Sequence, residues 1–161
     1  MPDKAGSVIL RPATDDDQPF LLQVYGSTRS DELAGLGWDD TQKQAFIRMQ
    51  FDAQTRCYPK ADTSVILLNG WAVGRMMVAR SESEIHLVDV ALLTQFRNSG
   101  IGTKLMEDLL AEAAANDKPV RLHVFAANPA VRLYERLNFS RIGADETYLE
   151  MIWVSPQSGS H

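Results

Sequence analysis

The run Arg97-Asn98-Ser99-Gly100-Ile101-Gly102-Thr103 carries the clearest chemical signal in the chain. A β-patterned stretch over residues 84–92 precedes it. After it Ile101, Leu105, Leu109 and Ala113 recur at every fourth position, which predicts a helix over 100–115. The glycines therefore stand at a strand-to-helix junction. Amides of a first helical turn have no partner within the helix, and the helix dipole adds positive character there. Such an end binds anions, and glycine lacks the side chain that would hold a pyrophosphate off the backbone. Arg97 can add charge, and Ser99 or Thr103 a hydroxyl. Other phosphate loops fit less well: no Gly-Lys-Ser/Thr is present, and Leu105 stands where a dinucleotide fingerprint has its third glycine.

A second motif runs from Asn128 to Phe139. Asn128 can cap a helix, and Pro129 suits its first position because a missing N–H costs nothing there. Ala130, Leu133, Tyr134 and Leu137 fall at i, i+3, i+4 and i+7, on one apolar face. Asn138 stands where a helix often ends in a left-handed residue. Tyr134 lies on the buried stripe with a hydroxyl that needs a partner. Spacing alone is equally satisfied by a core tyrosine.

Proton-handling groups gather on the strand before the loop. Alternation puts Glu84, His86, Val88 and Val90 on one face and Ile85, Leu87, Asp89 and Ala91 on the other. A bulge would reverse that parity beyond it. Histidine, with an unperturbed pKa of roughly 6.5, suits proton abstraction. Glu84 could serve instead, directly or through water, and Asp89 and His123 are further alternatives.

The elements that must position these groups can be read along the chain. Strands are predicted at 8–10, 64–68, 71–78, 84–92, 120–125 and 147–154. Asn69-Gly70 joins the second and third as a hairpin. Helices are predicted from Thr14 or Asp15 through Tyr25, from Thr41 to about residue 56, over 100–115 and over 129–137. Thr41 and Gln44 form a capping-box pattern, and Ala45, Phe46, Met49 and Phe51 a rough apolar stripe. Residues 26–37, rich in Gly, Ser and Asp, read as a loop or broken helix. The fold class is α/β in the α+β sense: a mixed sheet of about six to seven strands with helices on its faces. One domain spans 1–161, with residues 1–6 and 156–161 expected to be flexible.

Composition bounds the function. The formal net charge is −5, so a nucleic-acid partner is not expected. No apolar run approaches a membrane span of roughly 18 residues. The lone Cys57 cannot form an internal disulfide or anchor a metal cluster, and a cytoplasmic location is expected. Asp31, Glu32, Asp39 and Asp40 could attract a cationic substrate, although acids at such places also serve as helix caps.

Together the two motifs resemble the GNAT superfamily of N-acetyltransferases. Arg97-x-x-Gly100-x-Gly102 is similar to that family's acetyl-CoA loop, and Asn128 to Phe139 to its Asn-…-Leu-Tyr segment. Thr94 in place of Pro, Asn138 in place of Gly and a spacing of six residues from Asn128 to Tyr134 are departures from the common pattern. The resemblance implies an antiparallel N-terminal meander and a splayed parallel strand pair at the CoA site. It implies that the backbone of Val90, Ala91 and Leu92 pairs with the pantetheine arm, with an N–H there serving the oxyanion. Amides of Asn98, Ser99, Gly100, Ile101, Gly102 and Thr103 would hold the pyrophosphate. Asn128 would touch the pantetheine and Tyr134 would protonate the departing thiolate. His86 lies eleven residues before Arg97, where some resembling enzymes carry a glutamate base. The expected co-substrate is acetyl-CoA with no metal, and the expected partner a small-molecule or peptide amine. A possible homodimer is kept because resembling proteins are often dimeric. Acceptor contacts are expected from residues 25–38, Arg75, Met77 and 147–153. Tyr25, Trp38 and Trp71 could form an aromatic wall, with Trp71 more at home in the core. A GNAT-like acyl-CoA-binding sensor or interaction module with weak catalysis is the alternative.

Overall fold

Asn69 and Gly70 turn the chain with φ of 52° and 89°, the left-handed pair that a two-residue hairpin needs. In a computed structural model, which describes residues 7–126, 128–145 and 147–156, this hairpin joins the second and third strands of one sheet. The strands are β1 (Val8–Pro12), β2 (Asp62–Leu68), β3 (Trp71–Arg80), β4 (Ile85–Leu92), β5 (Val120–Phe125), β6 (Ser140–Ala144) and β7 (Tyr148–Trp153). Their order is β1-β2-β3-β4-β5-β7-β6. Only β4 and β5 pair in parallel; the other pairs are antiparallel. The mixed sheet and antiparallel meander match the sequence expectation. Among the described residues no helix is long and apolar enough to cross a membrane.

Helices cover both faces. α1 (Gln18–Leu33) and α2 (Asp40–Cys57) pack on one side through Leu21, Tyr25, Leu33, Ile47, Phe51 and Val65. On the other side α3 (Ile101–Ala115) and α4 (Ala130–Arg136) bury Ile101, Leu105, Leu109, Val131 and Tyr134 against Val73, Met76, Leu87 and Leu122. The site residues thus stand between two separate apolar clusters.

Several local expectations are corrected. The stretch 26–37, expected as a loop or broken helix, takes the second form: it is helical to Leu33, followed by a short 3-10 turn, Ala34–Leu36, that ends on left-handed Gly37. Ser27 and Thr28 fit that helix because their hydroxyls donate to the carbonyls of Val24 and Tyr25, each at 2.7 Å. A β-carbon on Gly26 would stand 3.5 Å from Ile47, an ordinary packing distance where α1 meets α2. The cap of α2 is Asp39 with Gln42, not Thr41 with Gln44: the Gln42 amide donates to Asp39 at 2.8 Å, and Gln42 answers at 3.0 Å. Its buried apolar residues are Ile47 and Phe51, while Met49 is exposed. Trp71 is 76% exposed beside the hairpin, neither core nor site wall. β6 follows Phe139 and is a strand beyond the six placed from the sequence. Residues 1–6 and 157–161, expected to be flexible, lie outside the described residues.

Candidate active site

The site begins where two strands part. β4 and β5 pair only at Ile85–Val120, His86–Arg121 and Leu87–Leu122, although β4 continues to Leu92 and β5 to Phe125. On its other edge β4 stays paired with β3 as far as Gly74–Leu92. The edge of β4 beyond Leu87 is therefore unpaired toward β5, and Val90, Ala91 and Leu92 lie along it.

A bulge sets which side chains face the gap. Met77 pairs with Asp89 and Val78 with Leu87, so Val88 is an extra residue. The strict alternation predicted for this strand fails here, as such an insertion requires. Val90 and Leu92 pack on the α3 side with Ile85 and Leu87. Asp89 turns to the α1–α2 side, where its Oδ2 stands 2.9 Å from Arg75 Nε. Arg75 is 3% exposed, with its guanidinium over the rings of Tyr25 and Phe51 at 5.3 and 5.4 Å. It also donates to Gln54 Oε1. The Nε–H does not point squarely at Asp89, so that contact is charge attraction more than an aligned hydrogen bond.

Tyr134 approaches from the opposite side. It is buried, its ring lies 5.6 Å from that of Phe139, and its hydroxyl has no hydrogen-bond partner among the described residues. Burial, helped by the charge of Asp89, raises its pKa well above the ordinary phenol value. That Asp89 acts on Tyr134 from across the sheet fits a gap between β4 and β5.

The loop after β4 leaves a run of backbone amides unpaired among the described residues, the form an anion cradle takes. Asn98 and Gly100 take φ of 60° and 88°, and α3 starts at Gly100 with no side-chain cap. The first amide to find a carbonyl is that of Lys104, bonded to Gly100 at 3.0 Å. Amides of Asn98, Ser99, Gly100, Ile101, Gly102 and Thr103 have no acceptor among the described residues. A β-carbon on Gly100 would meet nothing within 4 Å, so the space over the cradle is open. Arg97 is turned onto the protein: its Nε donates to Leu92 O at 3.0 Å and its Nη2 to Ser27 at 3.5 Å, pinning the end of β4 to α1. Ser99 Oγ donates to Phe96 O at 2.5 Å.

α4 begins at Ala130 with Pro129 at the position before it, one residue later than expected, and Asn128 serves its first amide, Oδ1 accepting from Ala130 N–H at 2.9 Å. Its side-chain NH2 is the group left for a ligand. Asn138, at φ 75°, closes the same helix, with the Phe139 amide returning to Tyr134 O at 3.0 Å.

The proposed bases lie at the closed end of the gap. His86 touches the rings of Tyr58 and His123, with centroids at 5.3 and 5.7 Å. Burial, then the neighbouring His123, lowers its pKa below the ordinary histidine value. Glu84 is engaged by Arg121. His123 is half exposed, 3.6 Å from Glu150. Of the acidic residues expected to attract a cation, Asp39 is a helix cap, and the side chains at Asp31 and Glu32 lie outside the described ones. Tyr25 and Trp38 belong to the α1–α2 side, Trp38 edge-on to Phe46 at 5.2 Å.

Sequence reasoning missed the link between Arg75 and Asp89. Its signal was present: one arginine inside an otherwise apolar strand, which can be buried only with a partner.

Comparison with known proteins agrees with this architecture. A curated N-alpha-acetyltransferase of Saccharolobus solfataricus (strain ATCC 35092 / DSM 1617 / JCM 11322 / P2) is 38% identical over 61 residues, which is 35% of this chain and 36% of that protein. The chain thus matches only about a third of that relative's length. The PaiA N-acetyltransferase of Thermoplasma acidophilum, solved with coenzyme A, superposes with a TM-score of 0.72 at 14% identity, over 92% of this chain and 99% of that one. A GNAT family acetyltransferase of Elizabethkingia anophelis, solved with acetyl-CoA bound, gives 0.62 at 12% identity, over 92% and 98%. At those identities the likeness is one of fold. Residues 31–156 match the Acetyltransferase (GNAT) domain, most of the chain's length, and the chain belongs to that family.

Proposed function

We propose that this chain transfers an acetyl group from acetyl-CoA to a primary amine, by direct attack within a ternary complex. The observation that carries the reading is the run of six unpartnered amides, Asn98 to Thr103, at the open end of the β4–β5 gap. A pyrophosphate supplies the acceptors those amides lack. The unpaired edge from Val90 to Leu92 offers backbone groups to an amide-bearing arm, and Asn128 offers its side-chain NH2. Acetyl-CoA would bring an activated thioester to the gap.

The residues then have separable tasks. The amine nitrogen must lose one proton and the sulfur must gain one. Tyr134 stays protonated across the working pH range, so its hydroxyl can hydrogen-bond the sulfur as charge develops there and donate to it. His86 stays neutral at neutral pH and can take the amine proton through water, with Glu84 held by Arg121 as the less available base. A backbone N–H on the free edge of β4 serves the acetyl oxygen.

Thermal-shift and thiol-release assays with a broad amine panel test this reading. The expected result is preference for acetyl-CoA over ATP and thiol release that depends on an amine. Acetyl-CoA binding with no amine-dependent release would overturn transfer and leave an acyl-CoA-binding module.

A further inference from the structure

Asp89 has a feature the acetyl-transfer scheme does not use. Its Oδ2 faces Arg75 at 2.9 Å, but among the described residues its Oδ1 has no partner, and the side chain is 21% exposed. Its charge reaches Tyr134, which approaches from the other face of the sheet. Asp89 lies on β4 beyond Leu87, the last residue paired with β5, so this carboxylate stands on the unpaired stretch that borders the gap. Asp89 faces the α1–α2 side beside Arg75, so a nucleophile that reaches its Oδ1 enters from that side.

Arg75 is held on every side. It packs against the Tyr25 and Phe51 rings, is tied to Gln54, and touches Met77 sulfur at 3.5 Å. A guanidinium fixed in this way sets where Asp89 can stand. The Val88 bulge is what brings Asp89 onto this face; without it the carboxylate would point into the α3 core.

We propose that Asp89 receives the acceptor amine, its Oδ1 accepting an N–H of the nucleophile and aiming the nitrogen at the acetyl carbon, and that Arg75 is the residue that positions it. A carboxylate accepts hydrogen bonds and offers none, so this point takes a nucleophile that carries a donor hydrogen, as an amine does. The inference rests on the amine-transfer reading above, and its test separates the two.

Turnover of butylamine, 1,4-diaminobutane and glycinamide is measured for wild type, with each amine also titrated calorimetrically into protein saturated with CoA. Asp89→Asn should raise the amine KM and weaken amine binding by about tenfold to a hundredfold, the loss of one hydrogen bond to a charged group, with acetyl-CoA affinity unchanged. Asp89→Glu keeps a partner for buried Arg75 and so guards against misfolding; moving the carboxylate should lower turnover in the same direction. Arg75→Lys should weaken amine binding, and adding it to Asp89→Asn should cost nothing more, because it acts through Asp89. Wild-type amine affinity and KM in both Asp89 variants would overturn the proposal and leave amine transfer standing. Additive losses in the double variant would overturn the role of Arg75. A wild-type protein that binds acetyl-CoA and turns over none of the amines would overturn both readings together.

Discussion

Gly100 holds φ 88° at the start of α3, a conformation that costs a residue with a β-carbon roughly 1–2 kcal/mol. The space beyond it is open, so backbone strain decides the effect of a substitution, with crowding of the cradle added when a ligand enters. Gly100→Val is expected to lower stability by about that amount and to weaken acetyl-CoA binding, as read by denaturant melts and calorimetry. Tyr134→Phe removes a hydroxyl with no protein partner, so stability and acetyl-CoA affinity should hold while kcat falls by about a hundredfold, the scale of one general acid. Unchanged kcat under conditions where chemistry limits the rate would remove the acid role. His86 is titratable in the useful range. Its folded pKa lies below its unfolded value, so its neutral form persists to lower pH than in a free histidine. The acid limb of kcat should therefore fall below the ordinary value of roughly 6.5, and His86→Gln should abolish it. The same shift makes the stability contribution of this group present above the unfolded value and lost as pH falls through the folded one. At this scale much was legible: the left-handed Asn138, the Asn128 cap and the Gly100 helix start follow from residue type and spacing. Arg75 was not assigned to Asp89, because a contact between strands is not written in local spacing.

Strands β3 and β4 form the element on which the site depends. Gly74 lies where a β-carbon would come 2.2 Å from Ala91 O and 2.9 Å from a Leu92 side-chain carbon, so only glycine allows the two strands to approach. Gly74→Ala is expected to displace the free edge at Val90, Ala91 and Leu92, with a cost of about 1–3 kcal/mol in stability and a loss of acetyl-CoA affinity. Denaturant melts and calorimetry check it; wild-type values for both would show that the edge tolerates the displacement. The bulge at Val88 shows why part of the site was illegible. Alternation predicted Val90 on the face of His86, and one inserted residue moved it to the α3 side and Asp89 away from it. A bulge is a property of pairing with β3, and the apolar pattern of residues 85–92 alone does not fix it. The helix caps show the same limit. Both Asp39/Gln42 and Thr41/Gln44 satisfy the capping pattern, and the packing of Ile47 and Phe51 decides between them.

At the scale of the molecule, one sheet separates two apolar clusters, with Tyr134 in one and Asp89 turned toward the other beside the β4–β5 gap. Fold class and element order were legible because each amphipathic run buries one face. The length of α1 was not, because residues 26–37 have a loop-like composition, and the bonds from the Ser27 and Thr28 hydroxyls back to the helix carbonyls are not written in it. A ligand that spans the free edge of β4 and the start of α3 should stabilise the whole fold. By mass action, acetyl-CoA at a hundred times its Kd is expected to add about 2.7 kcal/mol and raise Tm, where ATP at equal concentration does not. The proposed reaction is direct attack by an amine with both substrates bound. Initial velocities with acetyl-CoA and a reactive amine both varied, and the acetylated amine counted by mass spectrometry, test it most directly. Intersecting double-reciprocal lines are predicted; parallel lines, the mark of an acyl-enzyme, or the absence of acetylated product would contradict it.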